Sequence, residues 1–201
     1  GCRSMFMQKT IKKKICLDGI GVHSGERAGV VIHPLAAGAG IRFVSSDIPG
    51  EVIKIGKIVP ERARHATVLR QGNARISTIE HLMSAIMAFE IDNLFIEIIG
   101  GEVPIFDGGA LPFVQAFKDA GVVEQDAKRT FIAVVSRLEI KDEEGREIVI
   151  EPPSTDDKYN LYFDYGVDFK HPLAGRGYLE GVWSQDFFVR EIAPARTFGF
   201  L

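Results

Sequence analysis

The stretch ISTIEHLMSA (residues 76–85) sets a carboxylate, Glu80, directly beside an imidazole, His81. Such a pair can do hydrolytic chemistry. A carboxylate takes up a proton as a general base, and a neutral imidazole ligates a metal or holds a substrate. Each residue also has a purely structural use. Ser77-Thr78-Ile79-Glu80 fits a capping box, in which Ser77 caps a helix and Glu80 reaches back to its backbone N–H. An acid in a first turn also complements the helix dipole. A histidine in a core needs only a polar partner.

The elements that must position the pair narrow the choice for His81. Ile79, Leu82, Met83 and Ile86 recur at helical spacing, which predicts a helix over 78–90. His81 lies roughly 160° around that helix from the centre of the stripe. Its companions there, Ser84, Ala85 and Ala88, are small, and residues 81–89 include no Asp, Glu, Lys or Arg. A solvent face would carry charge. The helix is therefore expected to be covered on both sides, with His81 against a polar partner or a ligand.

Around it, strands are expected at 10–17, 27–35, 40–45 and 93–100, with a β-branched segment at 50–60. A hairpin is expected over 66–78, turning at Gly72-Asn73. A Gly/Pro-rich loop, 100–112, leads to a second helix over 113–121, closed by Gly121. Composition turns polar at 124–130, which places a domain boundary there. Beyond it come a hairpin over 131–152 turning near Glu144-Gly145, a strand at 159–169, and a helix at 183–193 with Ser184 as N-cap. Strands followed by a helix recur in both parts, so a repeated α+β unit with an incomplete second copy is expected. The ranges are 7–126 and 127–201, with 1–6 read as an artificial leader and start.

Composition excludes several function classes. The 201 residues are 46% hydrophobic and 25% charged with net charge −3, the balance of a globular protein without a nucleic-acid footprint. Lys12-Lys13-Lys14 is too short for a binding patch and reads as a solvated strand edge. No apolar run reaches the ~18 residues needed to span a bilayer. Cys2 and Cys16 make neither a disulfide framework nor a cysteine zinc site, which favours a reducing, cytoplasmic setting. Neither the Walker pattern nor the dinucleotide fingerprint is present, so nucleotide hydrolysis is rejected.

The remaining histidines are less pointed. His23 lies in GIGVHSGE (19–26), a glycine-flanked turn that is either only a turn or a place where backbone approaches a ligand. His65 follows Arg62 and Arg64 in a polar loop, where solvation is the plain reading. His33 and His171 each precede a proline and receive no role. No His-Glu-x-x-His occurs, so a complete zinc site cannot be written from the sequence alone.

Six motifs in order, GIGVHSGE (19–26), RISTIEHLMSA (75–85), IDNLFIEI (91–98), VPIFDGGALPFV (103–114), VDFKHP (167–172) and ARTFGF (195–200), make the chain resemble a known family. It is similar to the bacterial UDP-3-O-acyl-N-acetylglucosamine deacetylases, zinc amidases of lipid A synthesis. The resemblance implies two similar α+β domains, each with a sheet and two helices, the helices sandwiched between the sheets. It implies Glu80 as the base that activates water, His81 as a zinc ligand, and Thr197 as the hydroxyl that helps bind the oxyanion. His23, His65, Phe169 and Phe198 fall where the family lines its substrate cleft. The implied partner is a small acylated UDP-amino sugar. The family's other two zinc ligands, a His and an Asp four apart, have no match in these 201 residues. The resemblance thus implies an N-terminal part, with further Zn²⁺ ligands beyond residue 201 and no activity or firm zinc binding by this polypeptide alone. The competing expectation is a non-catalytic scaffold or binding domain, in which Ser77 and Glu80 only cap and His81 only packs.

Overall fold

The computed structural model describes residues 6–56, 60–63, 66–154, 160–169 and 172–197, with 61–63 as backbone only. The chain divides into two compact units. One runs to Arg129 and resumes at Phe188; the other is Thr130–Phe187. The second stretch of the first unit makes this division differ from the ranges 7–126 and 127–201 expected from composition.

In the first unit the strands are β1 (Met7–Ile11), β2 (Ile15–Ile20), β3 (Arg27–Pro34), β4 (Ile41–Ser45), β5 (Ile48–Lys54), β6 (Glu61–Ala63), β7 (Ala66–Gln71) and β8 (Ala74–Ser77). They are followed by α1 (Glu80–Ala88), β9 (Leu94–Ile99), α2 (Leu111–Ala120) and β10 (Val122–Lys128). The main sheet has the order β2-β3-β9-β4-β5. All its pairings are antiparallel except β4 with β9, which is parallel and needs the long crossover that contains α1. In β9 burial alternates: Leu94, Ile96 and Ile98 are sealed in the core while Phe95 and Glu97 are half-buried. That period of two gives the sheet one strongly apolar face.

Both helices bury one stripe. In α1 it is Leu82, Ala85, Ile86 and Ala88; in α2 it is Phe113, Val114, Phe117 and Ala120. Phe89 and Phe117 meet at 5.8 Å between ring centroids. Fully burying a ring such as Phe117 contributes about 2–3 kcal/mol. The second helix starts two residues earlier than its pattern suggests, because Pro112 is tolerated in a first turn. Gly121 closes it at φ 72°, donating its N–H to the carbonyl of Phe117.

Two expectations need correction. TIKKKICL is not one strand: the lysines form an exposed bend between β1 and β2, anchored by the Lys12 N–H on the carbonyl of Gly121 at 2.8 Å. The polar stretch at 124–130, where a boundary is expected, holds most of β10, paired antiparallel with β1, and the division between the two units falls at its end, after Arg129. Its residues are polar because the strand is largely exposed. Its inner contacts are polar too: Gln125 accepts from the Asn93 amide and donates to the carbonyl of Leu35. The expected helix at 183–193 is a short α turn, α3 (Gln185–Phe187), continuing into a π-helical turn at Phe188–Ile192. Ser184 does cap it, accepting the Phe187 N–H at 3.0 Å.

The second unit, among its described residues, holds the hairpin β11 (Leu138–Lys141) with β12 (Glu147–Ile150), and a longer hairpin, β13 (Tyr162–Asp168) with β14 (Arg176–Val182). No pattern marks β14, whose sequence RGYLEGV is interrupted by glycine and charge. The whole chain is α+β, as expected.

Candidate active site

The site is built where β8 gives way to α1. Ser77 ends β8 by bridging to the segment at Glu102: its N–H donates to the carbonyl of Gly101 and its carbonyl accepts from Val103. The chain then turns sharply through Thr78 at φ 61°. A β-branched residue there carries about 1–3 kcal/mol of strain. Two bonds hold it: Thr78 N–H to the Thr67 carbonyl, and Thr78 Oγ1 to Glu102 Oε1, both at 3.0 Å. The helix begins at Glu80, with Ile79 as N-cap and no side-chain cap.

The capping box therefore does not form. It requires Ser77 at the N-cap and Glu80 three residues into the helix, whereas Glu80 is the first helical residue. Freed from capping, Glu80 accepts the backbone N–H of Thr67 through Oε2 at 3.2 Å and stays half-buried. His81 is half-buried, and its ring has no hydrogen-bond partner among the described residues. Its carbonyl accepts from Ser84 Oγ at 2.7 Å. Of the small residues expected on the far face of α1, Ala85 and Ala88 are buried and Ser84 is half-buried. Cover is incomplete, since Met87 is 64% exposed.

The glycine-flanked turn is tied to the same junction. Its loop closes through Gly21 N–H to Glu26 and Gly25 N–H to Gly21. The N–H groups of His23 and Ser24 both point at one carboxylate, Glu102, at 3.1 and 3.2 Å. The His23 ring is exposed to solvent. Glu102 itself is 4% exposed. Burial pushes its carboxyl up, but the amides of His23 and Ser24 and the hydroxyls of Thr78 and Ser24 together outweigh burial and hold it below its ordinary value.

Thr197 lies on the second stretch of the first unit, a separate strap bonded to the loop at Gly108. Its N–H donates to Gly108 at 2.8 Å, and the carbonyl of Ala193 accepts from Ala110 at 3.1 Å. Gly109 permits this approach, because a Cβ there would meet the carbonyls of Ala195 and Ala193 at 2.8 and 2.9 Å. The loop from Gly101 to Ala110 is thus bonded to the β8–α1 junction, to the His23 turn and to the Thr197 strap. Sequence reasoning missed Glu102 and Thr78. An acid inside a Gly/Pro/apolar loop, shared there with Asp107, was the available signal.

Phe169 belongs to the second unit, where its N–H donates to Gly175. His65 and Phe198 lie outside the described residues. Among the described residues no group of three His, Cys, Asp or Glu side chains could hold a metal ion. A catalytic zinc requires three protein ligands, so His81 is a single donor and the described residues alone do not form a zinc centre.

The profile of the UDP-3-O-acyl N-acetylglycosamine deacetylase family matches residues 8–201. Named UDP-3-O-acyl-N-acetylglucosamine deacetylases are similar along nearly the whole chain. One from Neisseria meningitidis serogroup C is 36% identical over 204 residues, covering 98% of this chain and 64% of the relative. One from Helicobacter hepaticus is 39% identical over 195 residues, covering 96% and 62%. The chain therefore spans less than two thirds of the length of these relatives.

Proposed function

This chain belongs to the UDP-3-O-acyl N-acetylglycosamine deacetylase family, and we propose that the protein removes the N-acetyl group of an acylated UDP-N-acetylglucosamine in lipid A synthesis. The family match over residues 8–201 carries this reading. The junction geometry supports it, because Glu80 is spared from capping and the His81 ring has no hydrogen-bond partner among the described residues.

In this reading Glu80 takes a proton from water as the water oxygen adds to the acetyl carbonyl carbon. The hydroxyl of Thr197 donates to the carbonyl oxygen as it becomes anionic. Collapse of the tetrahedral intermediate breaks the C–N bond. Protonated Glu80 returns its proton to the departing nitrogen, leaving acetate and a free amino sugar. The same reading gives His23, His65, Phe169 and Phe198 a substrate-binding role, as the family resemblance implies. Zinc dependence belongs to the proposal, with His81 as one ligand and the others outside the described residues. The same reading includes a cytoplasmic location and two α+β domains with helices between sheets. No described helix is long and apolar enough to cross a membrane.

The test uses the full-length gene product and an acylated UDP-amino sugar. Glu80→Ala should keep the zinc content of wild type by elemental analysis while kcat falls by about 10²–10⁴-fold. Unchanged turnover removes the base role from Glu80. A wild-type protein that folds but neither binds zinc nor turns over this substrate sinks the reading and leaves a scaffold or binding role.

A further inference from the structure

Among the described residues Glu102 is the most deeply buried ionisable group near the site, and the reaction as written makes no use of it. An isolated carboxylate at 4% exposure would cost far more than a neutral side chain. Its cost is met by donors from two other segments. The turn supplies the N–H of His23 at 3.1 Å, and the N–H of Ser24 at 3.2 Å together with its hydroxyl. The strained residue before α1 supplies Thr78 Oγ1 at 3.0 Å. Gly21 leaves the space, since a Cβ there would collide with Glu102 Oε2 and Ser24 Oγ. The backbone on either side of Glu102 is bonded to Ser77.

We infer that Glu102 is a positioning residue, whose carboxylate locks the His23 turn to the β8–α1 junction and so sets where Glu80 and His81 stand relative to His23. This inference deepens the proposed function and rests on it for its kinetic part. The three segments share no covalent neighbour, with Glu102 79 residues from His23 and 24 from Thr78. The left-handed Thr78 is held on the Glu102 side by its hydroxyl alone, and the helix that carries Glu80 and His81 starts two residues later. Loss of the carboxylate would let Thr78 relax and the first turn of α1 shift. A displacement of about 1 Å at such a site costs on the order of 10²-fold in rate.

The experiment compares Glu102→Gln and Thr78→Val with wild type in the full-length product. Glutamine keeps the size but turns an amide N–H₂ toward groups that are themselves donors. Valine keeps the shape at residue 78 and removes only the hydroxyl. We expect kcat to fall about 10²-fold for Glu102→Gln and about tenfold for Thr78→Val, with KM within about threefold, the pattern of a misplaced reacting group. Amide hydrogen exchange should rise about tenfold in residues 21–26 and 78–83 and stay unchanged in β11 and β12. Unchanged exchange in both segments overturns the inference, whatever happens to kcat, and so does faster exchange with kcat within about twofold of wild type. If Glu102→Gln fails to fold, Thr78→Val carries the same readouts. If wild type does not deacetylate the substrate, the proposed function fails and exchange alone decides whether Glu102 couples the two segments.

Discussion

Glu102 in the first unit and Asp142 in the second are both held below the ordinary carboxylate range, by different means. Glu102 is buried among uncharged donors, two backbone amides and two hydroxyls. Asp142 sits in an exposed hairpin turn. Its largest influence is the Arg146 guanidinium, 2.5 Å from Oδ2, followed by backbone N–H groups of Arg146 and Glu144. The hairpin is laced with further exposed pairs: Lys141 with Glu147, Arg146 with Glu144, and Arg137 with Glu139 and Glu151. In water these pairs exchange one set of polar partners for another and gain little. At the joint the Glu102 carboxylate is itself buried, so the donors aimed at it are less easily replaced by water. Equal directions of shift therefore hide unequal structural weight, and the neutral donors matter more than the cations.

Deleting each carboxylate tests that ranking. Glu102→Ala strands the amides of His23 and Ser24 and the hydroxyl of Thr78, and should cost about 3 kcal/mol. For a chain of this length that lowers Tm by about 6–12 °C in a calorimetric scan. Asp142→Ala should move Tm by less than about 2 °C, because water replaces Arg146. Equal shifts for the two variants would overturn the contrast.

The local half of the site is readable from the sequence. The helix carrying Glu80 and His81 follows from its apolar spacing, and the β7–β8 hairpin turns at Gly72-Asn73 as its dipeptide requires. The Ser77/Glu80 pattern misleads because a capping box and a strand that exits through a left-handed residue can share one sequence. A positive φ at a threonine has no local signature; it is imposed by Thr67 and Glu102. Glu102 itself is illegible for the same reason, since its partners lie 78 and 79 residues earlier and 24 earlier. The polar β10 is not legible as a strand because its partner, β1, lies at the other end of the unit. Periodicity reports what a segment does with its own neighbours. It is silent on joints made between distant loops.

Glycine substitutions give a smaller separation of the two regions, through space rather than charge. Gly21→Ala introduces a methyl where Glu102 and Ser24 already sit, so the clamp must open. Overpacking of this kind costs about 2 kcal/mol. Gly145 in the hairpin turn adopts φ 81°, and a methyl added there would have nothing within 4 Å, so alanine meets only backbone strain. Gly145→Ala should cost about 1 kcal/mol. Urea midpoints for the two variants measure both, and a larger loss at Gly145 would argue against a tight clamp at Gly21.

Acid separates the two carboxylates by the least, and needs salt to do so. Each has a folded pKa below its unfolded value, so each adds stability that is present above the ordinary carboxylate range and is lost as pH falls through the folded value. Acidification below about pH 5 therefore destabilises the protein through both. Their responses to ionic strength differ. At about 1 M salt the screening length shrinks to about 3 Å, and the attraction of Arg146 for Asp142 in open solvent is largely removed. The donors on Glu102 are dipoles at hydrogen-bond distance around a carboxylate that is 4% exposed, and they persist. At about 1 M salt the remaining acid-dependent slope should flatten in Glu102→Ala, by at most one proton's worth, about 1.4 kcal/mol per pH unit. Asp142→Ala should flatten that high-salt slope less than Glu102→Ala does, because only the backbone N–H groups of Arg146 and Glu144 still favour the ionised form of Asp142. A slope that salt abolishes in wild type, or that Asp142→Ala flattens and Glu102→Ala does not, would place the acid-sensitive weight in the hairpin and not at the joint.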